Sequence, residues 1–264
     1  MKNSFLFLFI TLGILSCQRE NSTQQCIDNT RIRNIKSGNI QQKQYGYNEN
    51  CQVSELVEAF QYSKYTYDPS NRIIKSEYAF SLNPASCYMP QGIQGENVSD
   101  PRKAKISSYS VFEYNMDGKL NKKSNYYFGN AITLTSVNTF VYKDSKIIRL
   151  NIENPDNVVT QYYLYTYDES GNLVHEEYYF TNDGIDGTIV SSTDYVFDNW
   201  KNPFFTLASS GEPGINTNPN NITKETITYY YSGSAYPHTR DYQIEYNTAG
   251  YPVKVDDLVY SYGN

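Results

Sequence analysis

The chain has 264 residues and a formal net charge of −6, with 22 Lys and Arg against 28 Asp and Glu. An acidic chain without a basic tract is a poor match for nucleic acid, so we expect no nucleic-acid partner. Its 28 Tyr stand against 12 Phe and 1 Trp, and so much tyrosine favours β-sheet structure.

The first 16 residues read as the signal peptide of a bacterial lipoprotein. A basic start precedes an apolar run over residues 5–15, which ends at Ser16 and Cys17. This run is too short to span a bilayer but fits the hydrophobic segment of a signal peptide. We predict cleavage after residue 16, a lipid on Cys17 and a lipid-anchored linker over residues 17–40. The predicted location is the cell envelope at the outer membrane, on either of its faces, with the membrane as partner.

Three cysteines follow the predicted lipidation site, namely Cys26, Cys51 and Cys87. An oxidising compartment permits disulfides, and we predict a bridge between Cys26 and Cys51. Cys87 lies in a loop rich in Pro and Gly and has no predicted partner. The sequence contains no Cys-x-x-Cys motif, so it offers no basis for a zinc or redox site. We predict no metal and no cofactor.

A short pattern recurs in the predicted β domain, residues 41–264. Residues 167–173 read YDESGNL and follow alternating tyrosines. Asp168 at the first turn position and Gly171 at the fourth favour a type I turn followed by a G1 bulge. This turn places Tyr167 opposite Leu173, so the segment is predicted to form a β-hairpin.

Six further copies of the pattern differ in how closely they match. Asn71 and Cys51 occupy the glycine position in two of them, the copy at 142 has a shortened two-residue turn, and the copy at 197 is degenerate. The seven anchors are Tyr47, Tyr67, Tyr114, Tyr142, Tyr167, Phe197 and Tyr246. Their spacing is irregular, so we expect hairpins joined by loops of variable length. Residues 53–60 fit a helix or a strand equally well.

The anchors share one face of the predicted strands, and the opposite face is polar, as at Lys64, Thr66, Glu113 and Glu245. One buried face and one wet face are typical of an antiparallel sheet. Because almost no helix is available to cover the buried face, the sheet must cover itself by curling or by forming two layers. We predict an all-β fold: an antiparallel meander of repeated hairpins in a single, strongly curled or barrel-like sheet.

The pattern Tyr-[Asp/Asn]-x-x-Gly-x-Leu resembles the YD repeat of Rhs and teneurin proteins. From about Tyr45 onward the chain is also similar to a family of uncharacterised Bacteroidota lipoproteins with degenerate copies of this repeat. The similarity includes YVFDNWKNPF at residues 195–204, NPNNITKE at residues 218–225 and the C-terminal segment. It implies a β-rich envelope lipoprotein and no particular reaction.

Two long loops, residues 81–107 and 205–223, are rich in Pro, Gly, Asn and Ser. Loops of this length carry a binding site or cover an open part of the sheet. A shorter segment, NDGIDG at residues 182–187, resembles a calcium loop, but its Asp-Gly pairs favour a hairpin turn. Trp200, the single Trp, is a candidate ligand anchor.

No catalytic residue is predicted. The titratable candidates are His175 on a predicted strand, His238 in a predicted loop, Glu176 and Glu177. None of them has a partner at a spacing typical of a catalytic site.

The leading hypothesis is a non-enzymatic envelope module that binds a glycan or a protein, or that forms surface structure. Exposed tyrosines suit such binding because they combine ring stacking with a hydroxyl. The alternatives are a hydrolase acting on envelope or environmental polysaccharide, and a secretion or assembly accessory by analogy with Rhs shells.

Overall fold

A computed structural model describes residues 30–81, 96, 98–181 and 187–263. Within these residues the protein is all-β, with two short 3-10 helices at Pro101–Lys103 and Ile215–Thr217. The strands are β1 (Ile32–Ser37), β2 (Ile40–Tyr47), β3 (Val53–Glu58), β4 (Gln61–Tyr67), β5 (Ile73–Phe80), β6 (Ile106–Tyr114), β7 (Leu120–Phe128), β8 (Ile132–Lys143), β9 (Lys146–Glu153), β10 (Val159–Tyr167), β11 (Leu173–Phe180), β12 (Thr188–Lys201), β13 (Asn220–Tyr231), β14 (Ser234–Asp241), β15 (Ile244–Tyr246), β16 (Pro252–Val255) and β17 (Leu258–Tyr262).

The seventeen described strands form one antiparallel sheet. Each strand from β2 to β13 pairs with the next in sequence, so this run ends at β14. β15, β16 and β17 form a second run, which β1 joins to the first by pairing with both β17 and β2. No backbone ladder joins β14 to β15 in the described part of the chain. The sheet is therefore curled but not closed, which confirms the predicted meander.

The two edges of the sheet approach each other where the chain passes from β14 to β15. Arg240 of β14 donates to the carboxylate of Asp256, which follows β16, at 2.8 Å. Asp256 also exchanges hydrogen bonds of 2.8 and 2.9 Å with Gln243 at the end of the β15–β16 pair. We call this junction the seam.

The sheet begins earlier in the chain than expected. β1 lies inside residues 17–40, which were predicted to be a linker, and it pairs on both sides. The predicted boundary at residue 41 is therefore wrong, because no repeat motif marks this first strand. Residues 53–58 form strand β3 and not a helix.

The hairpin turns have the predicted geometry. Gly171 has φ 90° and Asn71 has φ 64°, and Tyr167 lies opposite Leu173. The Asp168 carboxylate accepts the Asn172 amide at 2.8 Å, which fixes the turn. The sequence reading missed a further copy at residues 154–158, which has no anchor aromatic before it; there Asn157 has φ 61°.

Successive repeats are joined by the same hydrogen bond. Four of the anchor hydroxyls each donate to the carbonyl of the aliphatic residue that follows the preceding repeat's turn. The pairs are Tyr67 to Val53 at 2.7 Å, and Tyr114 to Ile73, Tyr142 to Leu120 and Tyr167 to Ile147 at 2.8 Å. In the last three pairs the residue before the aliphatic one is basic and lies over the same ring; Arg72, for example, is 4.7 Å from the Tyr114 centroid. Both contacts connect neighbouring hairpins.

The repeat at Phe197 contains a long insertion in its turn. Phe197 pairs with Ile222 as Tyr167 pairs with Leu173. The Asp198 carboxylate accepts the amides of Trp200 at 2.9 Å and Asn221 at 3.1 Å. Residues 202–219 therefore loop out between the two halves of one repeat turn. We call them the plug loop.

The plug loop covers the face of the sheet that carries the anchors, which we call the inner face. Phe204 and Leu207 pack in the core cluster with Ile32 and Tyr45. Glu212 forms an ion pair with Lys123 at 2.9 Å. Of the two roles considered for this loop, the structure shows the covering role.

Candidate functional site

Beyond the plug loop, part of the inner face is left open along β10 to β14. The strand register brings its aromatic and acidic side chains side by side in two rows. One row joins Tyr163, Tyr178, Ser191, Tyr229 and Tyr236, and the second, closer to the plug loop, contains Glu176, Tyr195 and Glu225. We call the five tyrosines and two glutamates of these rows the tyrosine wall.

Exposure of the wall increases toward the free edge strand. Tyr163 and Tyr178 are half-buried and stacked, with their ring centroids 4.8 Å apart. Tyr229 and Tyr236, on β13 and β14, are 49% and 51% exposed. Because β14 has no neighbour on its far side in the described structure, these two rings are accessible to a ligand. An exposed ring offers a face for stacking, and its hydroxyl can form a hydrogen bond.

The two carboxylates of the wall lie against tyrosine hydroxyls. The Tyr195 hydroxyl donates to Glu176 at 3.3 Å, and the Tyr242 hydroxyl donates to Glu225 at 3.4 Å. Burial raises the pKa of Glu176 above its ordinary value; the Tyr195 hydrogen bond opposes this shift and the charge of Glu225 adds to it. Burial also raises the pKa of Tyr195, so its hydroxyl remains protonated at neutral pH. The carboxylates have further acceptor capacity for ligand hydroxyls.

Two of the four titratable residues considered from the sequence are brought together, since His175 Nε2 lies 3.5 Å from Glu177 Oε1. Glu176 lies on the inner face, and His175 and Glu177 lie on the outer face because neighbours in a strand point to opposite sides. His175 Nδ1 contacts Asp194 at 2.7 Å there. His238 belongs to strand β14, so its assignment to a loop is wrong. Pro237 suggested a loop but is tolerated on an edge strand.

Trp200 is 51% exposed but lies outside the wall. Its ring stacks on Tyr246 with the centroids 5.4 Å apart, at the end of the sheet that carries the repeat turns. Tyr246 donates to Asp198. Trp200 therefore packs on the neighbouring repeat, and its role as a ligand anchor stays a prediction.

Several predicted features lie outside the described residues. They include Cys17, Cys26, Cys87, residues 182–186 and most of the loop at 81–107. Cys51 is disulfide-bonded, and its pairing with Cys26 remains a prediction.

The described residues contain neither a metal-binding cluster nor a membrane-spanning helix. No group of three or more His, Cys, Asp and Glu there is arranged to hold a metal ion. Nor does a helix in that part of the chain have the length and apolar character to cross a membrane.

The tyrosine wall was not predicted as a site from the sequence. Tyr236 has the strand parity of the anchor Tyr246, so alternation could have assigned it to the inner face. Register shifts after the turns put Tyr178 and Glu225 out of phase with Leu173 and Ile222, so alternation alone could not assign them. The exposure of the wall depends on where the plug loop ends, which the pattern does not reveal.

No protein-family model and no curated protein matches the sequence. Among solved structures, a porin-like protein from Bacteroides vulgatus is 12% identical with a TM-score of 0.38, covering 88% of this chain and 98% of that one. A porin-like protein from Bacteroides uniformis has the same identity and TM-score, covering 79% and 92%. The Photorhabdus luminescens Tc holotoxin pore is 12% identical with a TM-score of 0.19, covering 81% of this chain and 12% of that one. TM-scores this low assign no function.

Proposed function

We propose that the protein is a lipid-anchored, non-enzymatic module of a Bacteroidota outer membrane that binds an extended glycan on the tyrosine wall. The anchor is the lipid on Cys17. The observation that supports the binding role is the accessible pair Tyr229 and Tyr236, on the same face as Glu176 and Glu225.

The chemistry of the wall suits a sugar chain. A pyranose ring has apolar C–H faces that stack on aromatic rings, and its hydroxyl groups donate to carboxylates. The tyrosine row crosses five strands, which corresponds to about 19 Å at a strand spacing of about 4.8 Å. That length suits an oligosaccharide better than a single sugar. The wall carries negative charge at Glu176 and Glu225, which favours neutral or amino sugars over acidic ones.

Calorimetry of the purified full chain with a panel of neutral and acidic polysaccharides tests the proposal. Tyr229→Ala and Tyr236→Ala should each weaken binding about tenfold, the equivalent of about 1.4 kcal/mol. Tyr230→Ala is the matched control, because Tyr230 neighbours Tyr229 but lies on the outer face. Absence of binding to every glycan, or equal losses in Tyr229→Ala and Tyr230→Ala, would contradict the proposal.

Incubating the protein with the same polysaccharides tests the hydrolase alternative. The two carboxylates of the wall are the observation that favours this alternative. Released oligosaccharides would be measured by chromatography. Turnover that disappears in Glu176→Gln while the fold is retained would replace the binding role with catalysis.

A further inference from the structure

A second surface of interest is the free edge of β14. In the described structure this strand pairs with β13 alone, and all eight of its residues are exposed. A strand edge with unpaired N–H and C=O groups is a template for another strand.

The register identifies which backbone groups are free. The two-residue turn places Tyr231 opposite Ser234, and that closing pair exchanges hydrogen bonds, so alternate pairs along the hairpin do the same. The N–H and C=O groups of Ala235, Thr239 and Asp241 therefore point away from β13. Pro237 shares this orientation and offers only its carbonyl.

An apolar cavity of about 220 Å³ adjoins this edge at the seam. The plug loop and the strands on both sides of the seam supply its apolar lining, which includes Phe204, Ile215, Ile222, Ile244, Val255 and Leu258. Arg240 and Asp256 also line it and form an ion pair at 2.8 Å. An apolar cavity of about 150 Å³ is enough to hold benzene, so this one has room for a Phe or Leu side chain.

The free edge and the cavity meet at the same place. Arg240 is part of β14 and lines the cavity, and the free groups of Thr239 and Asp241 flank it in sequence. Ile244 follows across the two-residue link to β15 and lines the cavity as well. A strand laid along this end of β14 would run beside the opening.

From this juxtaposition we infer that β14 docks an extended polypeptide segment of a partner protein, which inserts one apolar side chain into the seam cavity. A polypeptide fits better than a free small molecule, because a row of backbone donors and acceptors is satisfied together by another strand. Pro237 removes one donor from the row, so the buried side chain supplies part of the selectivity. This inference does not depend on glycan binding.

The probe is a fluorescently labelled peptide, KTVTFTVTK, titrated against the full chain by anisotropy. Replacing its Phe with Ala should weaken binding at least tenfold. Thr239→Pro removes a free donor and should weaken binding at least tenfold, and Thr239→Val, which keeps that N–H, should stay within twofold. Ile244→Trp fills the cavity and should also weaken peptide binding at least tenfold. Ile40→Trp, at an exposed position, is its control.

Thermal melts establish that each variant is folded, and Val255→Phe replaces Ile244→Trp if that variant unfolds. Absence of peptide binding to the wild-type chain would overturn the inference. So would equal binding of the Phe and Ala peptides, or binding unchanged in both Thr239→Pro and the cavity variant. Displacement of the bound peptide by indole supports insertion of its Phe into the cavity. If the chain binds indole but does not bind the peptide, the cavity is a small-molecule pocket and the polypeptide role is overturned.

Discussion

The hydrogen bond between successive repeats predicts the cost of removing one hydroxyl. In Tyr167→Phe, the Ile147 carbonyl loses its donor at 2.8 Å, and Ile147 is buried in a core cluster. A buried acceptor left unsatisfied costs about 1–2 kcal/mol. For a domain of this size the melting temperature should fall by about 2–8 °C. Urea unfolding followed by circular dichroism measures the free-energy change directly.

The repeated geometry makes the prediction sharper. Tyr67→Phe, Tyr114→Phe and Tyr142→Phe remove the same bond and should cost the same amount within a factor of about two. Tyr231→Phe is the matched control, since Tyr231 is 74% exposed. This substitution should lower the free energy of unfolding by less than about 0.5 kcal/mol. If Tyr167→Phe and Tyr231→Phe are equally stable, the hydroxyl does not join the repeats energetically.

Four further predictions follow from individual residues. Gly171→Val should destabilise the fold by about 1–3 kcal/mol in urea unfolding, because φ is 90° there, whereas Gly129→Val, which lacks a positive φ, should cost less. Burial raises the pKa of Tyr114 to about 12, so as the pH rises the unfolded chain loses this proton at a lower pH than the folded chain does. The free energy of unfolding should therefore fall above about pH 10. An unfolding free energy that does not change with pH there would contradict this. Cys17→Ala should release the protein from the membrane fraction and abolish lipid labelling. Pro237→Thr adds a donor to the edge of β14 and should increase self-association in sedimentation velocity.

Local chemistry was sufficient to predict the hairpins. Asp168 and Gly171 determine a turn within a few residues, so the fold class and the inner position of the anchors could be predicted from the local sequence pattern alone. The strand at Ile32–Ser37 could not, since its pairing with β17 depends on residues at the other end of the chain.

The candidate site was less predictable for the same reason. Phe197 was recognised as a degenerate anchor, but nothing nearby shows that Asn221 completes its turn through Asp198. The plug loop determines which tyrosines remain exposed, and its course over the inner face depends on distant contacts such as that between Glu212 and Lys123. Exposure of Tyr229 and Tyr236 is therefore a tertiary property.

The pairing of β1 with β17 has a consequence for the order of folding. Most of the strand ladders join neighbours in sequence and need only short loops to close, whereas Ile32 pairs with Tyr262 and Arg33 donates to the Gly263 carbonyl at 2.8 Å. Closing so long a loop has the largest entropic cost in the sheet. We expect the consecutive hairpins to form first and this terminal pairing last. In hydrogen exchange, the amides of β1 and β17 should then exchange faster than those of β6 to β11. The run from β2 to β14 and the run from β15 to β17 should each behave as a unit that separates from the other at β1.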